Sequence, residues 1–582
     1  MNTTSQINWR YWALISGFTA VALVTWHLAV VVTTSASVLD PKAGLASLKA
    51  GFRPTTLDVE APRQATVIIW VLLLVSVIAI EEVIAFKHRQ RGNRTEVGKL
   101  ASGRTLQKTM APKKDTPVVK AFAYLDGRPL TLRTEDNGAV VAPPRIGKSM
   151  YIAVPLIADA PGAVVTTSTK PDVLRLTAGI RSKIGTVTVF DPEGVSLWPD
   201  SIQWDIVAGC ADAEEAAERS TALVSSRDVG DERNASFFQE AADTVLRCLL
   251  HAAALKPGGN MRDVVRWARD FDIDEPYDIL RDHPGAVTGW VVDLTKFCRG
   301  KADETVSSTD MSLGLVLRSF ALPRILDAVC PAYRTGFDPT SFYEKRDTLY
   351  LLSRSGKTSL SAPIFTALVT AIERRARLKA GHTATGRIDP PLSLILDEVA
   401  NTAPIRDLDS LMADGGGRGV IAWPFAQSRA QLAKRYGTED AKTILDSASV
   451  FVMLAGSKDV DHLREVSALA GKTKVVRESH STSTGPTGSS STQRSFETED
   501  LMPPEKIRTI GIGRGYMLYR DAAPAVADLV PWWERPDRAD FEASMRWVLG
   551  REGLKTDSVT TNDFVRQVIE DNKVITSEGP VT

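Results

Sequence analysis

The chain has 582 residues, more than one ordinary hydrophobic core can organise, so three or four parts are expected. Its 70 basic and 70 acidic side chains balance, which excludes nucleic-acid binding by global charge and leaves only a local basic surface for that purpose. The four cysteines (Cys210, Cys248, Cys298, Cys330) form no C-x-x-C pair, and the seven histidines are scattered. That pattern excludes a disulfide framework and a His/Cys metal centre and reads as reduced, buried thiols in a cytosolic body.

Two apolar stretches, about 11–32 and 66–86, each have the roughly 20 residues needed to cross a hydrocarbon core. Glu81 and Glu82 in the second suit an interface, and the basic flank Lys87, Arg89, Arg91 and Arg94 predicts a cytoplasmic C-terminal side. A cleaved signal peptide ending near Ser35-Ala36-Ser37 is the rival for the first stretch, but the apolar run exceeds the usual length of about 7–15 residues. The expectation is a two-span hairpin over 1–98 in a cell membrane, with both termini cytoplasmic. A basic segment follows, with nine Lys/Arg against two acidic residues from Lys87 to Asp115. It reads as a solvated linker near anionic headgroups that leads, over 99–134, into the main body.

At Asn137 to Met150 the chain reads NGAVVAPPRIGKSM. A short apolar strand, a Pro-bounded turn, Gly147-Lys148-Ser149 and an apolar helix make the layout of a phosphate-binding loop. The loop residues Pro144, Arg145, Ile146, Gly147, Lys148, Ser149 and Met150 would hold phosphate, through main-chain N–H groups except at the proline, with Lys148 on the β/γ oxygens and Ser149 on Mg²⁺. Ala142 stands where the pattern G-x-x-x-x-G-K-[ST] has its first glycine. Pro155 is expected to kink or end the helix. Read alone, the tripeptide also fits a surface turn with a solvated lysine.

Strand-like runs at 163–167 and 186–190 end in Lys170-Pro171-Asp172 and Asp191-Pro192-Glu193. Strands that alternate with helices and end in polar turns predict an α/β parallel sheet with its ligand edge at the strand C-termini. From about 211 to 335 helical spacing dominates, over 213–225, 237–254 and 312–329, and reads as a helical insertion. The sheet pattern resumes at 348–352. There Arg354-Ser355-Gly356-Lys357-Thr358 forms a second GK[ST], which comes one strand before the acidic one. A phosphate-loop strand normally comes earlier, so Lys148 is preferred to Lys357.

LSLILDE, at 392–398, is an apolar strand ending in two carboxylates. Asp397 would order Mg²⁺ through its water shell and Glu398 would polarise an attacking water. A glycine-rich turn, Gly415-Gly416-Gly417-Arg418-Gly419, carries Arg418, and the next strand ends at Gln427, placed to sense a γ-phosphate. The Ser/Thr/Gly-rich stretch 477–498 reads as a flexible loop. Short helices are expected near 541–549 and 564–571, with a disordered tail after Asn572.

The order GKS, helical insertion, LILDEVANTAPI, GGGRGVIAWPFAQSRAQLAKRYG and EDLMPPEKIRTIGIGRGYMLYRDAAP resembles the type IV secretion coupling proteins of the TraG/TraD family. The resemblance covers roughly 135–535 and the paired spans. It implies a RecA-like P-loop ATPase core (135–210 and 336–535) with an inserted all-α domain (211–335) and a C-terminal extension (536–582). It also implies ATP and Mg²⁺ as cofactors, a homo-hexameric ring, and a relaxase-bound DNA strand, single-stranded, handed to secretion-channel proteins. Within the resemblance Lys148 and Ser149 match the P-loop, Asp397 and Glu398 the acidic strand, Arg418 a trans-acting finger and Gln427 the glutamine after the next strand. Two rival expectations are a duplex-DNA translocase of the FtsK type and a non-hydrolysing receptor that docks secretion substrates.

Overall fold

The computed structural model describes residues 99–112, 118–226, 235–332, 336–354, 359–482 and 490–554, with a few positions ahead of residue 99. Its contacts divide the chain into Met1–Val97 and Gly98–Thr582. In the first unit, Thr55–Thr56 pairs antiparallel with Val59–Glu60. The two expected membrane spans lie outside the described residues apart from isolated helical positions. Among the described residues no helix is long and apolar enough to cross a membrane.

The second unit is built on a sheet of 11 strands. In chain order they are β1 (Val118–Leu125), β2 (Arg128–Arg133), β3 (Gly138–Val141), β4 (Val164–Ser168), β5 (Val187–Phe190), β6 (Thr348–Leu352), β7 (Leu392–Leu396), β8 (Val420–Ala426), β9 (Val450–Leu454), β12 (Arg514–Tyr519) and β13 (Ala525–Leu529). The remaining two, β10 (Lys472–Thr482) and β11 (Ser490–Asp500), pair only with each other. The spatial order is β2-β1-β13-β12-β9-β3-β8-β7-β4-β6-β5. Strands β9 through β5 in that order are parallel, and β12, β13, β1 and β2 extend one side as an antiparallel edge.

Every residue of β3, β4, β6, β7, β8 and β9 is buried, as expected for parallel strands covered on both faces. Alternate residues feed two clusters. Ala139, Val141, Leu394 and Leu396 belong to one; Val140, Val164 and Ile395 belong to the other. This is the α/β architecture that the alternating pattern predicts.

Among the described residues seven α-helices occupy the interval between the neighbouring strands β5 and β6: α4 (Ala213–Ser225), α5 (Ala235–Leu255), α6 (Met261–Arg269), α7 (Glu275–Asp282), α8 (Trp290–Cys298), α9 (Asp303–Leu317) and α10 (Pro323–Ala328). The strands still pair in register, Val187 with Thr348 and Phe190 with Leu351, so the helical excursion leaves the sheet intact. Cys210, Cys248 and Cys298 are buried free thiols and Cys330 is half-buried. Burial pushes the first up to about 11 and the next two up to about 12.

Three segments differ from expectation. Part of the predicted linker is a helix, α1 (Gly103–Met110), capped by Ser102. It buries Leu106 and Met110 and is tied down by Gly103 N–H to Asp126 (2.7 Å) and Arg133 to the Thr109 carbonyl (2.7 Å). An apolar stripe at i and i+4 outweighs the basic composition. The Ser/Thr-rich stretch forms most of the β10–β11 hairpin, paired from Lys472↔Asp500 to Thr482↔Ser490. Threonine and valine favour extended backbone even where composition suggests a loop.

The third difference concerns the C-terminal segment. The expected short helix is longer, α18 (Arg538–Arg551), and packs on α3 (Asp172–Arg181). The Gly179 N–H donates to Ser544 Oγ (2.8 Å), which donates to the Arg175 carbonyl (2.9 Å), and Arg175 pairs with Glu552 (2.8 Å). Arg535 grips Asp159 with two bonds of 2.9 and 2.8 Å, both side chains almost fully buried. This part of 536–582 is integral to the body.

Candidate functional site

Strand β3 is central in the sheet, and the chain turns sharply where it ends. Arg145 and Gly147 both have positive φ, 66° and 82°. A π-helical turn, Ser149–Ala153, then passes into α2 (Val154–Asp159) with Pro155 in its first turn. The proline therefore neither ends nor breaks the helix. It lies where its missing N–H is tolerated, and the wider turn ahead of it closes through Val154 N–H to the Ser149 carbonyl. Such π turns concentrate at functional sites. Among the described residues Arg145, Ile146, Gly147 and Lys148 give their main-chain N–H groups to no acceptor.

The acidic strand β7 lies two places away, separated from β3 by β8. Asp397 and Glu398 follow its last residue. The Asp397 carbonyl accepts Thr167 Oγ1 (2.9 Å) from β4 and Thr402 Oγ1 (2.7 Å) from the short helix α12 (Val399–Thr402). Glu398 is held left-handed at φ 50°, ψ 45°, a backbone conformation that β-carbons disfavour.

The side chains converge. Lys148 Nζ lies 2.9 Å from Asp397 Oδ1 and 3.6 Å from Glu398 Oε1. Ser149 Oγ donates to Asp397 Oδ2 (3.4 Å), and Gln427 Nε2 donates to Glu398 Oε1 (3.3 Å) from the tip of β8. Gln427 is itself steadied by its N–H to Gln431 Oε1 (2.8 Å) on α14 (Arg429–Tyr436). Burial alone would lower the Lys148 pKa, but Asp397 and Glu398 outweigh it and the ammonium is held above its ordinary value. Asp397 Oδ1 is buried and accepts no directed hydrogen bond. Its neighbour is the ammonium.

Of the remaining loop residues, Ile146 and Met150 are buried and Pro144 is exposed. Arg418 stands apart. It ends a helix, α13 (Leu408–Arg418), and pairs with Asp414 one turn back. The expected glycine-rich turn is the last helical turn, with Gly419 as its left-handed cap. A β-carbon on Gly415 would sit 2.6 Å from the Val420 carbonyl, and one on Gly416 would sit 2.4 Å from the Glu135 carbonyl. These glycines serve close helix-to-strand packing. The second GK[ST], with Lys357, lies outside the described residues.

The sequence reading passed over Asp172. This carboxylate follows β4, next to β7. Burial raises its pKa, while the Val173 N–H and Lys170 oppose that and Asp397 reinforces it. The polar tip Lys170-Pro171-Asp172 was visible, but its adjacency to β7 depends on strand order. Thr167 and Thr402 were likewise missed, since nothing local marks a hydroxyl that supports a distant carbonyl. Among the described residues no group of His, Cys, Asp and Glu could hold a metal ion by itself.

Residues 391–511 match the family model described as the TraM recognition site of TraD and TraG. The fold is similar to that of the plasmid coupling protein TrwB. In its complex with the non-hydrolysable ATP analogue ADPNP, TrwB is 18% identical at a TM-score of 0.56, over 75% of this chain and 93% of that one. In its complex with ADP and Mg²⁺ the figures are 17% and 0.55, over 75% and 94%. The unbound bacterial conjugative coupling protein TrwBdeltaN70 matches at 18% and 0.55, over 74% and 92%. A comparison with curated protein sequences finds no match.

Proposed function

We propose that this chain, of the TraG/TraD type, is the ATPase of a conjugative coupling complex. The observation that carries the reading is the convergence of Lys148, Ser149, Asp397, Glu398 and Gln427 at the C-terminal ends of three neighbouring strands, where ligands of open α/β sheets bind. The residues fit Mg²⁺–ATP: uncommitted main-chain N–H groups line the loop, and the Ser149 hydroxyl and the Asp397 carboxylate, the donor pair such an ion takes, lie together beside Lys148.

In this reading the N–H groups of Arg145 to Lys148 cradle phosphate, and Lys148 trades its carboxylate neighbours for phosphate oxygens. Ser149 and Asp397 would hold the Mg²⁺. Bound Mg²⁺–ATP supplies the phosphoanhydride bond whose cleavage by water drives transport. Glu398 accepts the proton of the attacking water, and Gln427 fixes the carboxylate from the adjacent strand. Arg418 lies away from this cluster, so a finger role requires a neighbouring subunit of a homo-hexameric ring.

The wider proposal follows from the family. The apolar stretches 11–32 and 66–86 anchor the protein in the cell membrane with a cytoplasmic motor, and a relaxase-bound DNA strand is passed to the proteins of a type IV secretion channel.

The test is ATP hydrolysis by wild type, Lys148→Ala, Lys357→Ala and Glu398→Gln, with and without single-stranded or duplex DNA, paired with mating assays. The expected result is loss with Lys148→Ala and Glu398→Gln, retention with Lys357→Ala, and stimulation by single strands. Loss with Lys357→Ala alone would move the nucleotide to the other loop. Transfer that survives Glu398→Gln would make the protein a docking receptor rather than a motor, and preferential stimulation by duplex would favour an FtsK-type translocase.

A further inference from the structure

In the cluster one ammonium stands against two carboxylates: Lys148 faces Asp397 and Glu398. Pro143 and Pro144 supply no N–H, so the loop also has fewer main-chain donors than a proline-free one. Within 142–149 the only other cation is Arg145. Its side chain is exposed, and among the described residues it forms no ion pair, hydrogen bond or ring contact.

Arg145 is also held at φ 66°, a conformation that glycine adopts freely and a long side chain rarely does. Strained backbone of this kind concentrates at functional sites. A glycine would suit the backbone better, so the side chain is the part of this residue that function can use. A guanidinium offers five N–H donors in a planar fork that matches phosphate oxygens two at a time.

Resting on the reading of this loop as the nucleotide site, we infer that the Arg145 side chain is a phosphate-binding group. It supplies donors that Pro143 and Pro144 lack and adds a second cation beside Lys148. Its contribution scales with the number of phosphates and is absent for the nucleoside.

The experiment is equilibrium binding of a fluorescent ATP analogue to the full chain in detergent, competed by ATP, ADP and adenosine, alongside a thermal melt. The variants are Arg145→Ala, Arg145→Gly, Arg145→Lys and, as reference, Lys148→Ala. Arg145→Ala is expected to weaken ATP by about tenfold or more, ADP by less and adenosine not at all, with partial recovery in Arg145→Lys. Arg145→Gly should bind ATP as poorly as Arg145→Ala yet melt no lower than wild type, since glycine relieves the backbone. A purely structural arginine would give the opposite pairing. ATP affinity unchanged in both Arg145→Ala and Arg145→Gly, while Lys148→Ala has lost it, overturns the inference alone. Affinity unchanged in Lys148→Ala as well overturns the nucleotide-site reading together with it.

Discussion

The parallel sheet buries one cation near each end, and the two are solvated differently. At the strand N-termini Arg181 is fully buried and satisfied by neutral oxygens: the carbonyls of Ala160 (2.6 Å), Gly162 (2.6 Å) and Arg346 (3.1 Å) and Thr348 Oγ1 (2.7 Å). Burial lowers its pKa, with Tyr350 opposing, yet it remains a guanidinium under any ordinary condition. At the C-termini Lys148 faces two carboxylates, and one of their buried oxygens has no directed hydrogen bond. The first arrangement is closed and ties the end of α3 to β6 and to the turn after α2. The second is open and can exchange its partners for a ligand.

The sharpest test of that contrast is a double dissociation. Lys148→Ala should cut ATP turnover by about 10²–10³-fold while leaving the urea midpoint close to wild type. Arg181→Ala should leave turnover per folded molecule unchanged and cost about 3–4 kcal/mol in urea unfolding, because buried acceptors lose their donor. If turnover of folded Arg181→Ala falls as far as that of Lys148→Ala, the distinction between the two ends fails.

A third buried charge sharpens the comparison. Glu373, on α11 (Ala362–Gly381), is pushed up to about 7 by burial, with Arg377 opposing, Glu218 and Asp407 reinforcing and Arg418 opposing. Its folded value exceeds its unfolded one, so the folded state keeps its proton longer and stability falls as pH climbs from about 4.5 to about 7. Glu373→Gln should therefore raise stability by on the order of 2 kcal/mol at pH 8, fading to nothing below pH 4.5. A gain independent of pH would mean that the folded and unfolded states release this proton over the same range, so that burial does not shift the carboxyl.

Smaller effects remain. Gln427→Ala should slow turnover by about tenfold with unaltered nucleotide affinity, since it frees the Glu398 carboxylate without touching the loop. Arg181→Lys should cost about 1–2 kcal/mol, retaining charge but not the fork that reaches several carbonyls at once. A loss as large as that of Arg181→Ala would show that fork geometry, rather than charge, holds this end closed.

The sequence marks the converging residues where its signal is local. GKS after an apolar strand, and Asp397-Glu398 after another, are read without knowing which strands adjoin. It misleads where one composition serves two geometries. The glycines at 415 and 416 read as a turn, although their small size serves the close approach of a helix to the Val420 and Glu135 carbonyls. The Ser/Thr-rich 477–498 stretch reads as a loop, although polar residues with β-branched neighbours fit an exposed hairpin equally well. The C-terminal helix follows from its pattern, but its ties to Arg175 and Gly179, and that of Arg535 ahead of it to Asp159, span more than 360 positions of sequence separation.

By itself the sequence determined the element types, the α/β alternation and the identities of Lys148, Ser149, Asp397, Glu398 and Gln427, since these follow from hydrophobic period and from short motifs whose chemistry is carried by adjacent residues. Only the tertiary structure decided the strand order that sets β8 between β3 and β7, the left-handed backbone at Arg145 and Glu398, the placement of Asp172 after the strand beside β7, and the separation of Arg418 from the cluster. Those features depend on non-local pairing and on close packing, and no window of neighbouring residues encodes which strands lie side by side.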